Sequence, residues 1–403
     1  MRYLIIGGGP AGLCAAATLR RADDQGQVTI LAKEGFPPYS RIALACLLTG
    51  AMREESLFLP VPSGINLILG EEATEVDSGK REVRTTWGKK FPYDKLLIAT
   101  GAAPIRPNIE GSCLPFVYTI RDLPDVRRVL ESLKVRKTGH AVVAGAGPVG
   151  LELSDALHKL GYTITLVISS DRVFSTMLDG GSSALLERKL AEQGVEIRKG
   201  TDIVKICPSG EVLLSSGEML NGDVVIFGKG VSPSLGFLTG SGITTRLGIP
   251  VDAHQETNIP GIYAAGDVAE TRDIVYEEMR VNALWPVAFE QGKVAAYNMA
   301  SRTLAYEGSF SRNILRVFGV SILAAGKGRA DGPEVHCKHG PEFHHKIVLE
   351  SGILKGFVFV GEVRNEGLYS ELLRRKIPVA PRAGSLLQGS FDYAQLMRMH
   401  TRQ

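Results

Sequence analysis

Glycines at 7, 9 and 12 follow the spacing G-x-G-x-x-G, and the same spacing returns at Gly145, Gly147 and Gly150. That spacing suits one task, bringing main chain up to a pyrophosphate. The first glycine permits a tight turn, the second lets the backbone approach the phosphates, and the third lets a helix pack closely on a strand. The helix N-terminus then presents free N–H groups and a partial positive charge to the phosphates. Each set is preceded by an apolar run, Tyr3–Ile6 and Ala141–Ala144, and followed by helix-forming residues. Both therefore read as strand, turn, helix. One such motif alone is weak; two in the same context are far more specific. They imply two dinucleotides bound face to face, typically a flavin and a nicotinamide.

Further candidates stand where the chain leaves its strands. Val28–Leu31 is a second strand, and an acid just after such a strand binds ribose hydroxyls. Ala32 takes the nearest position, so Glu34 is the candidate ribose ligand. Two prolines shape the loop to Arg41, whose side chain could meet a phosphate. Arg41 opens a helical run from Ile42 to Thr49. The run Leu96–Ala99 delivers Thr100 and Gly101 to a strand's C-terminal end, where ligands bind in open α/β sheets. A third apolar strand ends in Gly266-Asp267, placing the Asp267 carboxylate to bond ribityl hydroxyls. Trp285-Pro286 precedes a helix expected over Val287–Ser301, whose N-terminus would stabilise an anionic reduced flavin. At the end of the strand 163–168 stand Ile168, Ser169 and Ser170, with no acid. That removes a barrier to a 2′-phosphate, which Ser169, Ser170 and Arg172 could bind. The cofactor reading is NAD(P)H with a lean to NADH.

The elements needed to position these residues define an α/β fold. It has two Rossmann-like dinucleotide-binding domains, for FAD and NAD(P), plus a smaller α+β C-terminal domain. The expected boundaries are 1–110 and 231–305 for the FAD domain and 111–230 for the NAD(P) domain. The C-terminal domain spans 306–380, with a tail at 381–403. Gly384–Gln403 is expected to be a short helix with a frayed end, and a place where a larger complex could be anchored. His336, Cys337, His339, His344 and His345 lie close together. A metal site there is disfavoured; Gly340-Pro341 marks a hairpin turn, and a solvated loop is expected.

The chain of 403 residues carries 44% hydrophobic and 22% charged residues, which suits an ordinary globular protein. No apolar run reaches the roughly 18 residues of a membrane span. The first apolar residues belong to a strand, not a signal peptide, so the cytoplasm is the expected compartment. Nothing calls for nucleic acid or membrane as a partner. The five cysteines, Cys14, Cys46, Cys113, Cys207 and Cys337, form no C-x-x-C or C-x4-C pair. A redox disulfide and a cysteine-held cluster are therefore disfavoured, and an organic cofactor must carry any redox chemistry. Residues 301–403 hold 15 Lys/Arg against 9 Asp/Glu, while residues 1–300 hold 31 against 34. The basic excess sits in the C-terminal quarter.

The sequence resembles the pyridine nucleotide-disulfide oxidoreductases over roughly residues 1–380. The motifs are G-G-G-P-A-G at 7–12, L-L-I-A-T-G-A at 96–102, G-A-G-P-V-G-L-E at 145–152 and Y-A-A-G-D-V-A-E at 263–270. Pro38–Arg41 and Leu284–Gly292 are similar to the branch with NADH:rubredoxin oxidoreductases and the flavoprotein part of NADH-nitrite reductases. The resemblance implies that Gly7, Gly9, Gly12, Arg41, Thr100, Gly101 and Asp267 hold FAD. It implies that Gly145, Gly147, Gly150 and Glu152 line the NAD(P)H site. Cys46 aligns where related branches place a Lys or Ser near the flavin; that Lys pairs with the acid matching Glu152. With Cys46 there the ion pair is absent, and how Glu152 is neutralised stays open.

The cysteine pair or single cysteine of the disulfide, coenzyme A and peroxide branches has no counterpart. The implied activity is electron transfer between NAD(P)H and a one-electron carrier of ferredoxin or rubredoxin type, in either direction. Some members act beside iron–sulfur partners of CO dehydrogenase. Such carriers are usually acidic and would meet the basic C-terminal quarter. An NAD(P)H oxidase using oxygen, and a flavoprotein subunit of a larger redox complex, are the rival readings. Homodimer and complex both remain open as assemblies.

Overall fold

The computed structural model describes residues 1–135, 138–362, 365–388, 391, 392 and 394. In chain order, β1 (Arg2–Ile6) leads through the first glycine turn into α1 (Pro10–Ala22) and β2 (Gln27–Ala32). Then come β3 (Ile65–Leu69) and β4 (Lys95–Ile98), separated by a three-stranded antiparallel ribbon. The pattern restarts with β5 (Gly139–Ala144), α2 (Pro148–Lys159) and β6 (Tyr162–Ile168). Next are α3 (Gly180–Glu192), β7 (Glu196–Lys199) and β8 (Val224–Phe227). After β9 (Ile262–Ala264) and α4 (Trp285–Met299), the chain ends in an antiparallel region. That region comprises β10 (Arg312–Val317), β11 (Val320–Gly326), β12 (Val335–His339), β13 (His344–Glu350), β14 (Ile353–Val360) and α5 (Glu366–Arg375).

The chain divides into two compact units. The first holds residues 1–44, 52–103 and 231–310. Its main sheet is parallel, in the order β9-β4-β1-β2-β3. Both faces are covered, so its strands read as continuous apolar runs. Side chains alternate between faces. Tyr3, Ile5, Val28 and Ile30 pack with α1 and α4 on one side. Leu4, Ile6, Leu31, Leu96 and Ile98 pack with Val76, Val83 and Tyr93 on the other. α1 and α4 touch backbone to backbone. A Cβ on Gly292 would lie 2.2 Å from the Ala11 carbonyl oxygen.

The second unit holds residues 45–51, 104–230 and 311–403. Its parallel sheet has the order β7-β6-β5-β8 with the short strand Val117–Tyr118 at the edge. An antiparallel ribbon over Ile203–Asn221 covers one face through Val212, Leu214 and Leu220. The C-terminal sheet is antiparallel throughout, ordered β10-β11-β14-β13-β12. α5 packs on β14, burying Leu368, Tyr369, Leu372 and Leu373.

Several local expectations change. The helix expected from Val287 begins at Trp285, with Pro286 in its first turn. The run after Arg41 divides into a 3-10 turn, Arg41–Ala43, and a short helix, Leu44–Leu48. The histidine-rich segment is not a solvated loop. His336, Cys337 and His339 lie on β12, paired with His344 and His345 of β13 across the 340–343 turn. Backbone pairing with β13 holds these residues at the edge of the sheet, where His336, Cys337 and His339 stay exposed. Among the described residues no three His, Cys, Asp or Glu side chains converge as a metal site. Of the tail, Ala383–Leu387 is helical. Residues 389, 390, 393 and 395–403 of that segment lie outside the described residues.

Asp179 caps α3 by accepting from the Ser182 N–H at 3.0 Å. The same carboxylate lies 3.2 Å from the Lys346 ammonium and 3.5 Å from His344 Nε2, both on β13. Lys346 is 2% exposed and also reaches Asp331 at 3.2 Å. Burial pushes the Asp179 carboxyl up, but hydrogen bonds from His344 and Ser182 outweigh it and hold the group well below the usual range.

Candidate dinucleotide sites

The two glycine turns are near copies. Gly7 has φ +114° and Gly145 φ +109°, the left-handed region that favours glycine. A Cβ on Gly7 would lie 2.2 Å from the Ala99 oxygen, and one on Gly145 would lie 2.4 Å from the Gly228 oxygen. One turn later, a Cβ on Gly12 or Gly150 would stand 2.0 Å from the Gly7 or Gly145 oxygen. Gly9 and Gly147 are different: each caps its helix in extended backbone, and a Cβ there meets nothing within 4 Å. Neither helix has a side-chain cap or an acid in its first turn, and Pro10 or Pro148 follows. The exposed N–H groups and the open space over Gly9 and Gly147 fit a pyrophosphate at each turn.

In the first unit, Glu34 and Arg41 come together. The guanidinium pairs with one Glu34 oxygen, and the Tyr39 hydroxyl donates to the other at 2.6 Å. Arg41 also donates to the Tyr39 oxygen at 3.0 Å and lies over the Tyr39 ring. The loop of two prolines folds back to make this cluster, so acid and base are presented as one pair. At the end of β4, the Thr100 hydroxyl donates to the Ser234 carbonyl at 3.2 Å, and the Gly101 carbonyl accepts from the Ser234 N–H at 3.0 Å. Asp267 is half-buried in the turn after β9. That turn is held by α4: Gln291 accepts from the Gly266 N–H at 2.8 Å and donates to the Thr271 hydroxyl at 3.2 Å. Trp285, half-buried, opens α4. Tyr39 and Gln291 were not singled out from sequence. The only signals were Tyr39 between Glu34 and Arg41, and a buried-face glutamine before Gly292.

In the second unit, Glu152 sits on the second turn of α2. Burial, and then the charge of Asp155, push its carboxyl up. Among the described residues no hydrogen bond or ion pair reaches it, and none joins it to Cys46, which is exposed on the Leu44–Leu48 helix. Burial and a like charge one turn away therefore both disfavour the ionised form of Glu152, and no cation among the described residues offsets them. At the end of β6, Ile168 is buried and Ser169 exposed. The Ser170 hydroxyl donates to the Arg172 carbonyl at 2.8 Å, and the Arg172 guanidinium contacts both oxygens of Asp171 at 3.1 and 3.2 Å. All five cysteines are free thiols.

Two parallel sheets, each with a pyrophosphate-ready glycine turn, define a two-dinucleotide oxidoreductase. A match to the pyridine nucleotide-disulphide oxidoreductase family covers residues 1–292. The chain belongs to that family and is an FAD-dependent NAD(P)H oxidoreductase. It is 28% identical to the NADH-dependent phenylglyoxylate dehydrogenase subunit epsilon of Aromatoleum evansii, over 94% of this chain and 93% of that one. It is 31% identical to the nitrite reductase [NAD(P)H] of Bacillus subtilis over 90% of this chain, and spans about half of that relative's length, 46%. The NAD-dependent persulfide reductase from A. fulgidus superposes with a TM-score of 0.88 at 26% identity, over 94% of this chain and 78% of that one. No helix among the described residues is long and apolar enough to cross a membrane.

Proposed function

We propose that this protein moves electrons between NADH and a one-electron protein carrier of ferredoxin or rubredoxin type, in either direction. Bound FAD supplies the exchange between a hydride pair and single electrons. The N–H groups of the first glycine turn cradle the FAD pyrophosphate, Glu34 and Arg41 hold its adenosine side, and Thr100, Gly101 and Asp267 hold the rest. The N-terminus of α4, opened by Trp285, would favour negative charge on a flavin bound beside it. Gly145, Gly147 and Gly150 take the nicotinamide dinucleotide, with Glu152 beside it. The preference for NADH rests on the Ser170 hydroxyl, engaged by the Arg172 carbonyl, and on the Asp171 carboxylate beside Arg172, which would repel a 2′-phosphate. A 2′-phosphate that approached the guanidinium would meet the Asp171 carboxylate beside it.

The observation that carries the reading is the pair of matching turns in a chain whose cysteines form no pair. Electrons must then leave for an acceptor outside the chain. Each NADH oxidised releases two electrons and a proton, so two carrier molecules are reduced per NADH. Lys327, Lys346 and Arg375 are tied up in ion pairs, while Arg316 and Lys338 make none among the described residues. Cations of this second kind suit an acidic carrier. The phenylglyoxylate dehydrogenase relative, matched nearly end to end, is itself a subunit. That favours a carrier supplied by a fixed partner chain, of which CO dehydrogenase-type iron–sulfur partners are one form.

The test is anaerobic NADH oxidation with ferredoxin or rubredoxin, at low and high salt, beside an aerobic control without carrier. The expected result is fast carrier reduction at two per NADH, slowed by salt, with slow oxygen use. Carrier-independent oxygen consumption with little transfer would make the protein an NADH oxidase and refute the relay.

A further inference from the structure

Asp155 lies on α2 one turn beyond Glu152 and is 7% exposed. Residues three apart share a helix face, so the two carboxylates are neighbours. Asp155 Oδ1 accepts from the backbone N–H of Phe318 at 3.0 Å, and Oδ2 meets the Lys159 ammonium at 2.6 Å. Phe318 forms the turn between β10 and β11 with φ 50°, a conformation that bulky residues rarely adopt. Its ring centroid lies 5.4 Å from that of His158, also on α2. The turn is thus held to α2 by a charged, buried hydrogen bond and a ring contact. The helix it grips is the one that starts at the second glycine turn.

We propose that Asp155 is a positioning residue: it ties the Phe318 turn of the C-terminal sheet to α2 one helical turn from Glu152, so that sheet and nicotinamide site are coupled through one carboxylate. This rests on the reading that Glu152 lines the nicotinamide site. Burial raises the Glu152 carboxyl first, and the negative charge of Asp155 adds to it in the same direction. Lys159 lies one turn further along the helix and offsets part of its field. The other titratable groups on packed elements stand elsewhere. His140 opens β5, bonded to Asn221 and Thr165, and Tyr162 opens β6, both at strand ends remote from the glycine turn. On β10, Arg316 is on the exposed face with Ile314, opposite Leu315 and Val317, and Arg312 is four residues back along the strand. His158 faces Phe318.

The experiment uses the full-length holoenzyme. Flavin reduction by NADH is followed against pH by stopped flow, with NADH Kd, FAD content and Tm for each variant. Asp155→Asn keeps an oxygen for the Phe318 N–H but removes the charge. The pH limb due to Glu152 is expected to move down by about one pH unit, with NADH affinity near wild type. Asp155→Ala removes the tie as well, and is expected to weaken NADH binding about tenfold. Lys159→Met, at an exposed site, is expected to move the limb up while leaving the Phe318 tie intact. A limb that vanishes in Glu152→Gln but stays fixed in Asp155→Asn and Lys159→Met refutes the role of Asp155. Wild-type NADH affinity in Asp155→Ala refutes the tie. A limb that survives Glu152→Gln refutes the placement of Glu152 itself, and the proposal falls with it.

Discussion

Replacing Gly147 by Ala should damage NADH binding without damaging the fold. A Cβ there meets no protein atom within 4 Å, and the backbone, at φ −80° and ψ −176°, is open to any residue. The cost to stability is that of a poorer helix cap, up to about 1 kcal/mol. The added methyl instead enters the space left for the pyrophosphate. Losing one charge-assisted hydrogen bond from the turn costs roughly 1.5–3 kcal/mol, or about 10- to 150-fold in affinity. Gly150→Ala gives the contrast, because its Cβ would stand 2.0 Å from the Gly145 oxygen and must push α2 off β5. That overpacking costs roughly 1–3 kcal/mol of stability. Gly9→Ala in the first unit should lower FAD content and leave the second turn untouched. The assay is NADH titration, FAD absorbance after gel filtration, and Tm for all three proteins. If Gly147→Ala binds NADH as the wild type does, or sheds FAD like Gly9→Ala, the assignment of the second turn to the nicotinamide is wrong.

At the end of β6, Asp171→Ala should release the Arg172 guanidinium and raise kcat/KM for NADPH relative to NADH severalfold; Ile168→Glu should move the ratio the other way. An unchanged ratio in both would mean that this strand end does not read the ribose. Asp179→Asn should leave the Lys346 ammonium buried with only exposed Asp331 for company, costing about 3 kcal/mol, whereas Lys346→Met should cost about 1 kcal/mol because Asp179 keeps Ser182 and His344. On that scale Asp179→Asn should lower Tm by roughly 6–12 °C at pH 7. The folded-state pKa of Asp179 lies below its unfolded value, so its contribution is present above about pH 4 and lost as pH falls through the folded value. The Tm gap between wild type and Asp179→Asn should therefore close in acid. A gap that stays constant from pH 7 to pH 3 would contradict that linkage.

The glycine turns were legible because their requirements are local. A tight turn, an open approach and a close helix–strand contact each demand glycine at a fixed offset, and all three lie within a dozen residues. The ends of β4 and β9 were legible for the same reason, since an apolar strand followed by Thr-Gly or Gly-Asp is a local signal. What escaped depends on long-range closure. Glu34 and Arg41 were each candidates, but their pairing through Tyr39 follows from how the two-proline loop folds back. Asp155 meets Phe318 across 163 residues of sequence. Asp179 meets Lys346 only once β13 is laid against α3. The histidine-rich stretch is solvated as its polarity implies, but it is a strand and not a loop, because pairing with β13 is a long-range backbone matter. It forms an edge strand whose residues His336 to His339 are all exposed, paired on one side with β13.

The two turns share backbone geometry so closely that the turn itself does not choose between flavin and nicotinamide. Gly7 and Gly145 each donate their N–H to the strand beyond at 2.8 Å, to the Leu31 and Val167 carbonyls. That puts Ala32 and Ile168 in equivalent places, and neither offers a carboxylate at the first position past the strand core. The difference lies two residues on, where Glu34 stands in one unit and Ser170 in the other. In the first unit the acid is held by Arg41 and Tyr39, so an oriented carboxylate and a cation are presented together. In the second the serine is folded onto its own loop and the nearest ion pair is Asp171 with Arg172. The proposed assignment of flavin and nicotinamide thus rests on how each loop disposes of its charges after the strand. On that assignment, one or two substitutions in the loop should shift the ligand choice and leave the glycine turn and the sheet intact.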